Sequence, residues 1–300
     1  MKNKYQSKKS SGGWIMADPL PSDDELKQFY EEKYYQLDDD VATKTYQDSY
    51  SKRELQHKTF EAELCFFAVK NNFQGDILDI SVLEIGVGEG FLLKELSKNV
   101  KDYKGVDFSK YSIAQFFPEL LSHFEQADVY EYLRELDKKY DVIILRNTIE
   151  HVREPMELMK ALKESINPNG LVAFSFPNDY SVIQELSKKM GYTKKEEFWF
   201  CPPEHLSYFN TETGKKFAEK CGLNIVDMFS IFPIDVFLLT PASNYIERPE
   251  VGKFAHKARM ELELTLWQKE KTSTLDLFRQ FANNGIGREI TIIAQFNENT

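Results

Sequence analysis

The chain has 300 residues and a formal net charge of −10, and 42% of its residues are hydrophobic and 14% aromatic. This composition supplies enough apolar surface for a large core and does not match a disordered chain. A negative charge without a stripe of clustered lysine and arginine argues against a nucleic-acid partner. No apolar run approaches the roughly 20 residues that span a bilayer, and the cysteines show no metal-ligand spacing. We therefore expect a cytoplasmic protein without a membrane span or a metal site.

The first quarter of the chain divides into a tail and a helical preface. Residues 1–18 begin with a polar, lysine-containing stretch, which predicts a flexible tail. Residues 19–75 are predicted to form the preface, because Ser22 and Glu25 make a capping-box pattern ahead of helically spaced apolar residues. A second helix is predicted over about residues 51–71, with its apolar side packed on a sheet.

A strand, a glycine-rich turn and a helix follow one another at residues 82–90, which read VLEIGVGEG. The apolar residues suit a central parallel strand. Gly86, Gly88 and Gly90 can adopt positive φ, so the turn can bring backbone N–H groups against a ligand. Such a turn places the ligand at a helix N-terminus, beyond the carboxyl edge of the sheet.

The residues around this turn discriminate between ligands. A dinucleotide fingerprint requires a small residue at position 91, where this chain has Phe91. The carboxylates of Glu84, Glu89 and Asp107 would repel a pyrophosphate but favour a cationic ligand. S-adenosylmethionine is such a ligand, and on these residues the chain resembles the class I S-adenosylmethionine-dependent methyltransferases. A nicotinamide-dependent Rossmann oxidoreductase remains the alternative.

The resemblance assigns further cofactor contacts. It implies that Asp107, at the end of the next strand, accepts hydrogen bonds from the ribose hydroxyls and that Phe108 covers the adenine ring. Asp128 with the adjacent Val129 would meet the adenine amino group. Asn147, after the fourth strand, completes a cofactor set that begins with Glu84 and the three glycines.

The same resemblance implies an α/β fold with a Rossmann-like, seven-stranded sheet and helices on both faces. The core is expected over residues 76–231, and the last core strand with a short tail over 288–300. Residues 232–287 lie between the sixth and seventh strands and contain helically spaced apolar residues such as Leu262, Leu266 and Trp267. This segment is therefore predicted to be a helical insertion, which could cap the acceptor pocket or form a homodimer contact.

Two histidines are expected at the carboxyl edge of the sheet, where the acceptor should bind. His151 follows the fourth strand, and His205 lies in the loop after the fifth. Histidine is the usual base near neutral pH, so we expect His151, with His205 in reserve, to take the proton from an acceptor hydroxyl. Further acceptor contacts are expected from residues of the preface and the loops: Tyr34, Arg53, Tyr180, Trp199 and Tyr208.

The predicted acceptor is a small molecule. The preface, the phrase PPEHLSYF and the insertion are similar to methyltransferases of bacterial surface-polysaccharide and nucleotide-sugar pathways. A branch that methylates sugar carbons carries a cysteine-rich zinc segment near its N-terminus, and its absence here favours oxygen or nitrogen as the acceptor atom. A catalytically silent, cofactor-binding assembly subunit is the third hypothesis.

Overall fold

The computed structural model describes residues 4–22, 24–26, 28–29 and 50–297. The strands in chain order are β1 (Gln6–Lys9), β2 (Ile15–Asp18), β3 (Ser81–Ile85), β4 (Asp102–Asp107), β5 (Phe124–Gln126), β6 (Tyr140–Leu145), β7 (Ile166–Pro177), β8 (Ser207–Tyr208), β9 (Leu223–Ser230) and β10 (Glu289–Phe296). The α-helices are α1 (Lys52–Asn72), α2 (Phe91–Asn99), α3 (Tyr111–Phe116), α4 (Val129–Glu135), α5 (Pro155–Ser165), α6 (Val182–Lys189), α7 (Thr211–Lys220), α8 (Gly252–Lys269) and α9 (Lys271–Asn283).

Seven of these strands form the central sheet, in the order β5-β4-β3-β6-β7-β10-β9. The pairings β3–β4, β3–β6, β4–β5 and β6–β7 are parallel, whereas β10 is antiparallel to both β7 and β9. The chain leaves β3 towards β4 on one side and returns to β6 on the other. A ligand cleft is expected beyond the carboxyl ends of strands at such a switch point. The predicted seven-stranded sheet is confirmed.

Two hydrophobic cores lie on opposite faces of the sheet. Val82 of β3 belongs to one core and its neighbour Leu83 to the other, as the alternation of side chains along a strand requires. Phe60 of α1 packs in the first core, and Leu158 of α5 packs in the second. The sheet is therefore covered by helices on both sides, as predicted.

Helix α1 begins where its sequence predicts. The Ser51 side chain accepts a hydrogen bond from the Glu54 backbone N–H, and the Glu54 side chain accepts one from the Ser51 backbone. Ser22 and Glu25 make the same reciprocal contacts at the start of the preceding segment. Over the residues that the structure describes, no helix combines the length and apolar content needed to cross a bilayer.

The prediction of a flexible tail is wrong for residues 4–18. Strands β1 and β2 form an antiparallel hairpin, and β2 continues into a three-stranded sheet by pairing with β8. Trp14 is only 4% exposed, and its ring lies 5.5 Å from that of Phe209 and 5.3 Å from that of Phe217. Burial of this indole ring supplies the free energy that orders the hairpin, despite the polar residues around it.

Residues 232–287 are mainly helical, as predicted, but they belong to the core. Helix α8 packs on α1, and α9 packs on β9. The ring of Trp267 lies 5.6 Å from Phe60 and 5.4 Å from Phe67 of α1. Leu262 is 41% exposed, so its predicted burial is wrong, because only one side of α8 faces α1. The two helices complete the layer that covers one face of the sheet.

Trp267→Ala should lower the free energy of unfolding by about 3–5 kcal/mol, the usual cost of removing a large buried aromatic side chain. Leu262→Ala, on the same helix, should change it by less than about 0.5 kcal/mol because the side chain is largely in solvent. Urea denaturation of both variants measures the difference. Equal losses would show that α8 does not pack as described.

Candidate functional site

A cavity of about 950 Å³ opens beyond the carboxyl ends of β3, β4 and β6. The glycine turn forms one wall, and Gly86, Gly88 and Gly90 have φ values of 77°, 54° and 88°. A Cβ atom on Gly86 would lie 2.1 Å from Thr148 Oγ1, so a larger residue would clash there. A Cβ atom on Gly88 would meet nothing within 4 Å, which leaves space for a ligand against the backbone.

Asp107 is fixed against this turn. Its Oδ2 accepts a hydrogen bond from the Gly88 backbone N–H at 2.9 Å, and its Oδ1 accepts one from Ser109 at 3.0 Å. Burial raises the pKa of the Asp107 carboxyl, and these backbone donors oppose the rise. The hydrogen bonds therefore hold the carboxylate in one orientation in the cavity wall.

The same cavity carries the residues expected near an adenine ring. Phe108 is 45% exposed and lines the cavity. Asp128 caps α4 by accepting hydrogen bonds from the backbone N–H groups of Tyr130 and Glu131. All nine predicted cofactor residues line this one cavity: Glu84, Gly86, Gly88, Gly90, Asp107, Phe108, Asp128, Val129 and Asn147.

Glu84 is a buried carboxyl in the cavity wall. It is 2% exposed, and its Oε2 has no hydrogen-bond partner. Burial raises its pKa to about 8, although the positive charge of Arg146 lowers it. A cationic group bound in the cavity would supply the missing partner and favour the ionised carboxylate.

Arg146, Glu61 and Lys58 also line the cavity. Arg146 Nη2 lies 3.7 Å from Glu61 Oε2, and Lys58 Nζ lies 3.3 Å from Glu89 Oε2. Sequence reasoning missed Arg146 and Glu61. The position of Arg146 directly after the buried strand β6 was the available signal. The pairing with Glu61 depends on how α1 docks on the sheet.

The two predicted catalytic histidines are neighbours. His151 lines the cavity, and its ring lies 4.8 Å from that of His205 in an edge-on arrangement. His151 Nδ1 is 2.6 Å from the backbone oxygen of Glu204. The backbone oxygen of Glu150 accepts hydrogen bonds from Leu206 and Ser207, which ties the two histidine-bearing loops together.

The predicted acceptor contacts are mostly elsewhere. Tyr180 and Trp199 pack against each other at 4.8 Å, and the Tyr208 hydroxyl donates to the His205 backbone oxygen. None of these three residues is among the described residues that line the cavity. Their rings pack instead with other rings and with the loop backbone. Arg53 Nε instead donates to Glu261 Oε1 at 3.0 Å. Tyr34 lies outside the described residues.

A family model described as a methyltransferase domain matches residues 50–228, which include the glycine turn, Asp107 and His151. The chain belongs to the methyltransferase domain family. S-adenosylmethionine is its cofactor. The fit is visible in the cavity, where open space beside Gly88, the fixed carboxylate of Asp107 and the unpartnered oxygen of Glu84 suit a ligand with hydroxyl and ammonium groups.

Two relatives matched by sequence each cover only part of this methyltransferase. It is 27% identical over 164 residues to the ubiquinone biosynthesis O-methyltransferase of Acinetobacter baylyi, covering 50% of this chain and 69% of that protein. It is 32% identical over 103 residues to the malonyl-[acyl-carrier protein] O-methyltransferase of Halalkalibacterium halodurans, covering 32% of this chain and 38% of that protein. The solved phospholethanolamine N-methyltransferase 2 of Haemonchus contortus, with bound S-adenosylhomocysteine, has a TM-score of 0.50 at 15% identity, covering 96% of this chain and 65% of that one.

Asp107→Ala should weaken cofactor binding by about 2–4 kcal/mol, because it would remove the charge-assisted hydrogen bonds that we expect Asp107 to accept from the ribose, together with the one from the Gly88 N–H. Calorimetry with S-adenosylhomocysteine measures the loss. Asp102→Ala, at the exposed start of the same strand, is the matched control and should bind normally. An Asp107→Ala variant with wild-type affinity would remove this residue from the cofactor site.

Glu84→Gln should change how stability depends on pH. The pKa of Glu84 in the folded protein, about 8, lies above that of a carboxyl in an unfolded chain, about 4.3. Between these values the folded state binds more protons, so the contribution of Glu84 to the free energy of unfolding falls as the pH rises. The variant should therefore gain stability relative to wild type between pH 5 and pH 8, as measured by urea denaturation. If the difference in free energy of unfolding between variant and wild type did not change with pH, the raised pKa of Glu84 would be contradicted.

Proposed function

We propose that this methyltransferase transfers a methyl group to a hydroxyl oxygen of a polar small molecule, and that the reacting atom binds beside His151. The observation that carries the proposal is one cavity whose wall includes both the glycine turn with Asp107 and the imidazole of His151. A cofactor and an acceptor held in one cavity can meet at the near-contact distance that methyl transfer requires.

The chain's own residues divide the work of holding the cofactor. Asp107 would accept the ribose hydroxyls, with Phe108 against the adenine and Asp128 near its amino group. Glu84 would meet the ammonium group and Arg146 the carboxylate of the methionine part, because each offers the opposite charge. When bound, S-adenosylmethionine supplies a methyl group activated by a sulfonium for displacement by the acceptor atom.

The cavity wall also offers polar groups to the acceptor. Glu61 and His151 line the cavity, and the aromatic rings of Tyr180 and Trp199 pack against each other outside it. These groups match the hydroxyls of a sugar or nucleotide-sugar better than the face of an apolar ring. Oxygen is favoured over nitrogen because the two relatives matched by sequence are both named as O-methyltransferases, whereas the N-methyltransferase compared above is similar in fold at only 15% identity.

His151 and His205 are the proposed catalytic pair, with His151 in the cavity wall and His205 edge-on behind it. General-base catalysis by His151, with His205 in reserve, stays a prediction, as do a homodimer through residues 232–287 and a cytoplasmic location. The oxidoreductase alternative is not favoured. Phe91 packs at 5.2 Å against Phe117, where a dinucleotide site needs a small residue.

A methyl-transfer screen with labelled cofactor tests the proposal. Three panels of acceptors should be screened: sugars with nucleotide-sugars, phenols, and amines. We expect turnover with the sugars and nucleotide-sugars. His151→Asn should lower kcat by about 10²–10⁴-fold, the usual contribution of a group that moves a proton in the transition state. Cofactor affinity should not change.

His123→Asn is the matched control, because this histidine stacks on Tyr103 at 4.2 Å, away from the cavity. It should keep wild-type turnover. Turnover only with phenols or amines would overturn the acceptor class. Wild-type turnover by His151→Asn would separate His151 from the reaction, and cofactor binding without turnover in any panel would favour the silent assembly subunit.

A further inference from the structure

Glu150, His151 and His205 bring one ligand atom each to a common point. These atoms all lie within 4.8 Å of one another, and Glu150 is buried while both histidines are partly buried. The carboxylate comes from the turn after β6, together with His151, whereas His205 comes from the loop before β8. The sequence predicts no metal because this combination of two loops has no spacing signature.

The Glu150 carboxylate is the group that needs explaining. Glu150 is only 1% exposed, and neither of its carboxylate oxygens, Oε1 and Oε2, accepts a hydrogen bond. Buried carboxylates are normally paired with donors or coordinate metals, because an isolated buried charge is costly. Oε1 faces His151, with 3.9 Å between it and Nε2.

His151 is oriented as metal-bound histidines are. The 2.6 Å contact of Nδ1 with the Glu204 backbone oxygen requires a proton on Nδ1, since a carbonyl oxygen can only accept. In the neutral ring, Nε2 then carries the lone pair and is directed towards Glu150. A hydrogen bond from one ring nitrogen to a backbone carbonyl is the arrangement that fixes the tautomer of a histidine ligand.

From this geometry we propose that Glu150, His151 and His205 form a binding site for a divalent first-row transition-metal ion, with Zn²⁺ favoured. Two imidazoles and one carboxylate suit Zn²⁺ better than Mg²⁺ or Ca²⁺, which prefer oxygen ligands. Three protein ligands leave one coordination position for water or an acceptor oxygen. Zn²⁺ binds these ligands at about 2.0–2.2 Å, so binding requires small rotations that draw the three side chains together.

Metal binding at this site goes beyond the proposed function. A role of the metal ion in methyl transfer, however, rests on the proposed function. An ion here would polarise the acceptor hydroxyl as a Lewis acid and replace the proton-accepting role predicted for His151. The hydroxyl proton would then leave to water. Binding and role can be measured separately.

Binding is tested on the full chain without an affinity tag, stripped with a chelator and kept free of cofactor. Titration with Co²⁺, followed by visible absorption, and with Zn²⁺, followed by calorimetry, should show one ion per chain. Glu150→Gln and His205→Gln should each weaken binding by more than the roughly 10–100-fold that loss of an outer-shell partner costs. His123→Gln is the matched control and should bind as wild type.

Thermal unfolding of the metal-free variants checks that each one folds, and His205→Gln decides the question if Glu150→Gln does not. No stoichiometric binding by the wild type, or unchanged affinity in a folded ligand variant, would overturn the site. If the ion binds but stripped and Zn²⁺-loaded protein transfer methyl groups equally fast, its role in the reaction is wrong and the site is structural. If the wild-type protein binds the ion but turns over no acceptor in the screen, the result counts against the proposed function and not against the metal site.

Discussion

The cavity depends on the attraction between Arg146, at the end of β6, and the carboxylates around it. Arg146 lies among three carboxylates from different elements, Glu61 of α1, Glu84 of β3 and Glu289 of β10. Asn147 strengthens the link to β10 by donating to Glu289 Oε2 at 2.8 Å. Because an uncompensated buried charge is strongly destabilising, these elements hold each other in register at the carboxyl edge of the sheet. Electrostatic attraction thus fastens the helix and the three strands to one another beside the cavity.

Local patterns made the sheet and the cofactor wall predictable. A buried apolar strand, positive-φ glycines and a following helix are encoded within about ten residues, and Asp107 follows from the next strand end by the same logic. The start of α1 was predictable because the Ser51 capping box is also local. Such features need no knowledge of distant partners.

The errors arose where partners lie far apart in the chain. The burial of Trp14 depends on Phe209 and Phe217, and the exposure of Leu262 depends on which side of α8 meets α1. The aromatic loop residues were expected at the acceptor, but an aromatic ring is equally satisfied by another ring, as Tyr180 and Trp199 are. The pairing of Arg146 with Glu61 has no counterpart in sequence spacing.

The amino-terminal hairpin also bears on the order in which this protein can fold. Ala17 donates its backbone N–H to the Leu206 backbone oxygen, and β2 pairs with β8, so the hairpin is synthesised well before the strand on which it docks. Contacts of such high sequence separation form late, because a long loop must close before they are made. During synthesis Trp14 must stay exposed until residues 207–217 emerge. The segment that carries His205 therefore acquires its final shape only when the amino-terminal hairpin docks on β8.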